Sequence, residues 1–174
     1  MKWFFRMTGF ILALFFLLCA VGAFLPATQR VDRTVMMLVD GDDIYTLISD
    51  LTTYPDWSGV GGPESEWVFG GAEDGVGQTA AWQVENMGAD RFGSLEILQT
   101  ASGEYVRVRT IGPLGEQTVT LAIDEGETET AFLIQSERAL GGFPYLGRIA
   151  ALRQKSQTEA ALERATQGLE SLLR

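Results

Sequence analysis

The chain of 174 residues carries 13 Lys and Arg against 23 Asp and Glu, a formal net charge of −10, with one cysteine and no histidine. Its length leaves room for one domain, and 46% hydrophobic residues is the composition of a protein that folds around a core. The acidic balance argues against nucleic acid or an anionic lipid surface as an electrostatically held partner. The missing histidine removes the usual general base, His-dependent triads, imidazole ligation of haem and most zinc sites.

Residues 7–25 form a run of nineteen uncharged positions rich in Leu, Phe and Ala, long enough to span a hydrocarbon core. Lys2 and Arg6 stand on its short N-terminal side. Short positive tails stay in the cytoplasm, which predicts a single-pass helix in the inner (cytoplasmic) membrane with the rest of the chain facing the periplasm or exterior. The rival reading is a cleaved signal peptide with Val21-Gly22-Ala23 as its small-residue site. The run exceeds the roughly 7–15 residues of a signal core, which favours an uncleaved anchor over residues 1–27 and a domain over residues 28–174. Cys19 lies inside the run, so the domain has no disulfide and no thiol chemistry. All the carboxylates lie after it: beyond residue 26 the chain holds 11 basic and 23 acidic groups, a net of −12.

Residues 30–39, rich in Val, Met and Thr, read as a first strand. Asp40 fits a helix N-cap, with Asp42 and Asp43 in the first turn where carboxylates favour the helix dipole. Ile44, Leu47, Ile48 and Leu51 then fall at the i, i+3, i+4, i+7 spacing of one helix face. Residues 52–62 are a break around Tyr54-Pro55-Asp56-Trp57, and residues 58–60 add at most a turn of helix. From Glu64 onward the period becomes two. Trp67 and Phe69 alternate, then Ala80, Trp82 and Val84, then Leu95 and Ile97, then Val106 and Val108, then Val119, Leu121 and Ile123, then Phe132 and Ile134. Short turn segments such as Asp124-Glu125-Gly126 separate them, which predicts an antiparallel meander of six strands and a seven-stranded sheet with the first.

Residues 144–173 close the chain as one long helix after the break at Gly141-Gly142, with Pro144 in its first turn. Leu146, Ile149, Ala150, Ala161, Leu162, Ala165, Leu169, Leu172 and Leu173 fall on one stripe. In its middle that face turns polar, at Gln154 and Thr158. A single antiparallel sheet has one apolar face to cover, and this helix alone is long enough to cover it, so a twisted sheet should curl around it and leave a gap. Trp57, Trp67, Trp82 and Phe132 would line the gap, with Tyr145 beside them and Gln154 and Thr158 as polar contacts, a lining suited to a hydrophobic ligand. For any single ring, simple filling of the interior is the plainer reading.

Chemistry is hard to place. Asp40-Gly41-Asp42-Asp43 lacks the spacing of a calcium loop, Gly75-Val76-Gly77 precedes a strand rather than a helix, and no nucleophile has a plausible activating base. No metal and no cofactor is therefore expected. Tyr105, Arg107 and Arg109 alternate on one strand, and Asp50 and Asp56 flank the Tyr-Pro-x-Trp break. They read as solvated strand charges and caps, with Tyr105 or Asp56 as a proton donor or acceptor the minority view.

Leu47-Ile48-Ser49-Asp50 followed by Tyr54-Pro55-Asp56-Trp57-Ser58 resembles the helix-to-loop signature of the START-like superfamily, also called SRPBCC, in its polyketide cyclase/dehydrase and lipid transport branch. Gly75-Val76-Gly77 leading into the Trp82 strand is similar to the second landmark of that family, and residues 146–173 to its closing helix. The resemblance covers about residues 30–174. It implies an α+β helix-grip fold, a seven-stranded curved antiparallel sheet wrapped around the C-terminal helix, with a cavity for lipids or polycyclic molecules. Together these readings give a membrane-tethered module that binds or transfers a hydrophobic small molecule, with the membrane and that molecule as partners. A cyclase-like enzyme using pocket Tyr and Asp residues is the alternative, and an envelope scaffold protein a third.

Overall fold

A computed structural model describes residues 2–62, 64–84, 91–113, 115–141 and 146–174. The chain runs α1 (Lys2–Phe24), β1 (Thr28–Met37), α2 (Gly41–Ile48), a 3-10 turn (Leu51–Thr53), α3 (Tyr54–Trp57), β2 (Glu66–Gly71), β3 (Gln78–Val84), β4 (Arg91–Ala101), β5 (Tyr105–Gly112), β6 (Gly115–Glu125), β7 (Thr130–Ala139) and α4 (Leu146–Leu172). The expected fold class holds. All seven strands lie in one antiparallel sheet in the order β1-β7-β6-β5-β4-β3-β2, so the six-strand meander is followed by return of the first strand to the flank of the last. The sheet stays open, with β1 and β2 as its edges.

Register fixes which side chains face α4. Ile97 lies opposite Val108, Val108 opposite Val119, Leu121 opposite Ile134 and Ile123 opposite Phe132, and all but Val119 are buried. A slip of one residue would turn this whole set to solvent, which is why alternation reads so clearly in the sequence. Over this face pack Ile44 and Ile48 of α2, Leu51, Tyr54 and Trp57 beyond it, and Leu162, Ala165 and Leu169 of α4, forming one core.

Local chemistry accounts for the segment between β1 and β2. Asp40 caps α2, its Oδ1 accepting from the Asp42 amide at 3.0 Å. Asp50 caps the 3-10 turn through the Thr52 amide, 2.9 Å, and hydroxyl, 2.7 Å. The short helix of this break is Tyr54–Trp57 itself, with Pro55 early in it, and Ser58 is its C-cap rather than the start of a further turn. Gln78, almost fully buried, ties the segment to the sheet: its amide nitrogen donates to Asp50 at 2.9 Å and its oxygen accepts from the Leu51 amide at 2.8 Å.

Burial of the Asp50 carboxyl pushes its pKa up, but the bonds from Thr52 hydroxyl and amide and from Gln78 outweigh that and hold it below 3.8, the ordinary aspartate value. A group whose pKa is lowered on folding stabilises the fold in full above its ordinary value, and that stabilisation is lost as pH falls through the lower folded value. Asp50→Asn is accordingly expected to lower the denaturant midpoint at neutral pH and to flatten its decline below about pH 4. Urea titrations from neutral to acid pH check this, and parallel acid limbs in the two proteins would contradict it.

The inner stripe of α4 runs through Ala151, Thr158, Leu162, Ala165, Thr166 and Leu169. In its first half it is rotated from the expected face, with Ala151 buried and Ala150 exposed, and Leu172 is also exposed. Thr166 is buried because its hydroxyl donates to the Glu163 carbonyl at 2.8 Å and so needs no partner outside the helix. In α1, Arg6–Phe24 is long and apolar enough to cross a membrane, and most of its large side chains are uncovered by the rest of the protein.

Candidate ligand cavity and its polar mouth

Two adjoining spaces lie between sheet and α4. The inner one, about 90 Å³, is bounded by Tyr54, Trp57 and Val60, by inward strand residues including Leu95, Val119 and Ile134, and by Ala161, Leu162 and Ala165 of α4. The outer one is a cleft of about 490 Å³ between the ends of β6 and β7 and the first half of α4, bounded by Arg138, Leu140, Ala150 and Gln154 and also by two carboxylates, Glu116 and Glu137. Gln117 borders both. Small-molecule sites generally measure roughly 300–1,000 Å³, so the cleft is large enough for a ligand and the inner void by itself is not.

The cleft is polar because β7 carries its inward parity one step past the core. Phe132, Ile134, Ser136 and Arg138 all face α4, and Arg138 is only 8% exposed. Its Nη2 donates to Gln29 Oε1 at 2.6 Å and to Gln154 Oε1 at 2.8 Å. Gln29 in turn donates to the Ala151 carbonyl at 3.2 Å, and Ser136 donates to Gln117 Oε1 at 3.2 Å. The polar break in the α4 stripe is thus matched to a polar patch on the sheet. Gln154 supplies the link to Arg138, while Thr158 turns back on its own helix and donates to the Gln154 carbonyl at 3.2 Å.

The ring residues are spread over several environments. Trp57 borders the inner void, its indole N–H donating to Thr53 Oγ1 at 3.3 Å and its ring 4.6 Å from that of Tyr54. Phe132 is fully buried in the core between Val35 of β1 and Ile123 of β6 and borders neither space. Trp82 is buried along β3, in register with Gly93, where a Cβ would meet its ring at 2.6 Å; that glycine makes room for the indole to lie across β4. Among the described residues the Trp82 indole N–H has no hydrogen-bond partner. Trp67 is half-buried on the edge strand, stacked on Phe69 with centroids 6.1 Å apart. Tyr145 lies outside the described residues. Of the seven expected contacts, then, Trp57 stands at the inner void and Gln154 at the cleft, with Thr158 one helical turn beyond Gln154.

Sequence reading passed over Arg138 and Gln117. The signal was present: Arg138 continues the Phe132, Ile134, Ser136 alternation, and Gln117 continues that of Val119 and Leu121.

The proposed acid–base groups lie elsewhere. Asp56 is exposed, and Tyr105 shares neither the face of Val106 and Val108 nor a border with either space. Arg109 is ion-paired to Glu96 across the outer face. Tyr54 does reach the inner void, but burial, aided by the Asp50 charge, pushes its phenol far above the usual range, and its O–H donates to the Ile48 carbonyl at 2.9 Å. That phenol is a structural donor. Among the described residues no three His, Cys, Asp or Glu come together as a metal site.

No family model and no curated protein matches the chain. Solved structures do match it in fold. A Rhodobacter sphaeroides protein is 19% identical with a TM-score of 0.61, covering 85% of this chain and 93% of that one. The major latex-like protein 151 of Panax ginseng is 14% identical with a TM-score of 0.59, covering 85% and 99%. DynU16, a protein in the dynemicin biosynthetic locus, is 16% identical with a TM-score of 0.56, covering 85% of this chain and 47% of its own. At these identities the likeness is one of architecture, a curved seven-stranded sheet closed by a C-terminal helix, as the START-like resemblance implies.

Proposed function

We propose that this protein is a membrane-tethered binding module for an amphiphilic, largely hydrophobic small molecule, held between the sheet and the first half of α4. The observation that carries the reading is the pair of adjoining spaces bordered by Gln117, one apolar and one with Arg138 at its wall. A polar end of the ligand would sit in the cleft against Arg138 and Gln154, where charge-assisted hydrogen bonds are the strong ones. Its apolar end would point to the void beside Trp57 and Ala165, entering further only as α4 or the strand ends give way. The fold shared with the latex-like protein supports a ligand-holding role, and α1 supports a bilayer anchor. Tethering suits such cargo, because apolar molecules partition into the bilayer and an anchored domain meets them at high effective concentration.

Filling the cleft tests this. Ala150 is exposed in the cleft wall, so Ala150→Trp adds bulk there without entering the core. Titration of the detergent-solubilised full chain with an NBD-labelled fatty acid is expected to give saturable binding weakened at least about tenfold by Ala150→Trp, the loss of roughly 1.4 kcal/mol, with the unfolding midpoint unchanged. No saturable uptake by the wild type, or equal affinity in the variant, would overturn the reading.

A further inference from the structure

Averaged over the chain the charge is acidic, but the fold sorts it by position. Residues 1–31 and 138–158 contain no Asp or Glu, yet they hold seven of the thirteen Lys and Arg. These two stretches pack on one another at the foot of α1. The Arg148 Nη1 donates to the Gly22, Ala23 and Leu25 carbonyls at 3.5, 3.4 and 3.1 Å, and Gln29 donates to the Ala151 carbonyl at 3.2 Å. Between them lies a groove of about 230 Å³ whose walls include Leu25, Arg30, Leu140, Arg148, Leu152 and Lys155. Its lining holds three cations and no carboxylate, although Arg30 stands on the exposed face of β1 and donates its Nη2 to Gln135 Oε1 at 2.5 Å. Carboxylates stand at its margin: Glu159, 3.8 Å from the Lys155 Nζ, Glu137, opposite Arg30 in the β1–β7 register, and Asp32, next after Arg30 on the same exposed face of β1. The first pair is more than half exposed on both sides and holds Lys155 only weakly. Leu152 stands 63% exposed beside these cations.

We propose that this groove seats the phosphate headgroup of an anionic phospholipid from the bilayer that α1 crosses, a reading that rests on the membrane tether. Three features point to this occupant. The groove begins where the apolar helix ends, at Leu25 and Pro26, so it lies at the level of the lipid headgroups. It combines cations with exposed apolar side chains, as a headgroup with its first methylenes requires. Leu140 borders both the groove and the ligand cleft on the other flank of α4, so a lipid seated here marks the membrane side of the route into the cleft. The 23 Asp and Glu all lie within residues 32–137 and 159–174, and their repulsion from an anionic surface would favour an orientation with the groove toward the bilayer.

The test compares the full chain with Arg30→Gln/Lys155→Gln, neither residue being part of the ligand cleft. Both proteins are extracted in detergent doped with phosphatidylglycerol or phosphatidylcholine, and retained lipid is counted by native mass spectrometry. The expected result is preferential retention of phosphatidylglycerol by the wild type, reduced roughly tenfold or more in the double variant, with phosphatidylcholine retention, NBD-fatty acid affinity and unfolding midpoint unchanged. Excess inorganic phosphate should leave phosphatidylglycerol in place. If the double variant does not fold, each single variant is expected to show part of the same loss. Equal retention of the two lipids, an unaltered variant, or displacement by inorganic phosphate would overturn the headgroup site and leave the tether and cleft standing. Release of the protein from membranes by alkaline carbonate would overturn the tether and this inference with it.

Discussion

Gly168→Ala is expected to destabilise the domain by about 1–3 kcal/mol, the cost of forcing an extra methyl into a filled contact. At an exposed helix position the same exchange stabilises by roughly 0.5–1 kcal/mol, so the sign is the test. The reason is the approach of α4 to α3. A Cβ on Gly168 would stand 2.2 Å from the Trp57 carbonyl oxygen and 2.9 Å from its carbon, and these are backbone atoms that cannot rotate away. Accommodating it requires α3 to shift, and with it Tyr54 and Trp57 over the inner void. Thermal unfolding followed by circular dichroism should show the midpoint falling by roughly 2–4 °C per kcal/mol for a domain of this size. A rise would mean that the two helices stand farther apart than described.

Phe132→Ala should be the most damaging single truncation, at about 3–5 kcal/mol. Phe132 is fully buried, flanked in register by Val35 on β1 and Ile123 on β6, so it joins the returning first strand to the meander. Its removal leaves an apolar hole between strands whose backbone bonding prevents collapse. Phe92→Ala is the internal control: that ring is 69% exposed, and its loss should cost less than about 0.5 kcal/mol. Denaturant titration should show a lower midpoint for Phe132→Ala with an unchanged slope, and comparable losses in the two variants would refute the placement of Phe132.

Much of this architecture was legible because alternation and helical spacing are properties of neighbouring residues. Phe132 and Ile134, or Ile44 and Ile48, declare their buried faces without reference to anything distant. The Asp40 cap was equally readable, since a side chain bonding two residues along the chain is decided locally. The interior spaces were less so. Whether Trp82 lines a cavity depends on Gly93, a cross-strand neighbour that leaves room for the ring to lie flat on β4. Whether Gln154 meets ligand or protein depends on Arg138, sixteen residues away across the sheet–helix interface. Charge was the most misleading quantity in bulk. The net of −12 beyond residue 26 is not spread evenly along the chain, because residues 27–31 and 138–158 hold no Asp or Glu.

Only residues 25–27 separate α1 from β1, a span of roughly 10 Å when fully extended. Arg148 ties that leash down further by donating to the Gly22 and Ala23 carbonyls at the end of α1 and to that of Leu25 just beyond it. On the proposed tether, a domain mounted so closely could not ferry cargo across an aqueous compartment, and it would have little freedom to swing toward a distant acceptor. A ligand held as proposed would then be loaded and surrendered close to one leaflet, to the bilayer itself or to a neighbour standing in it.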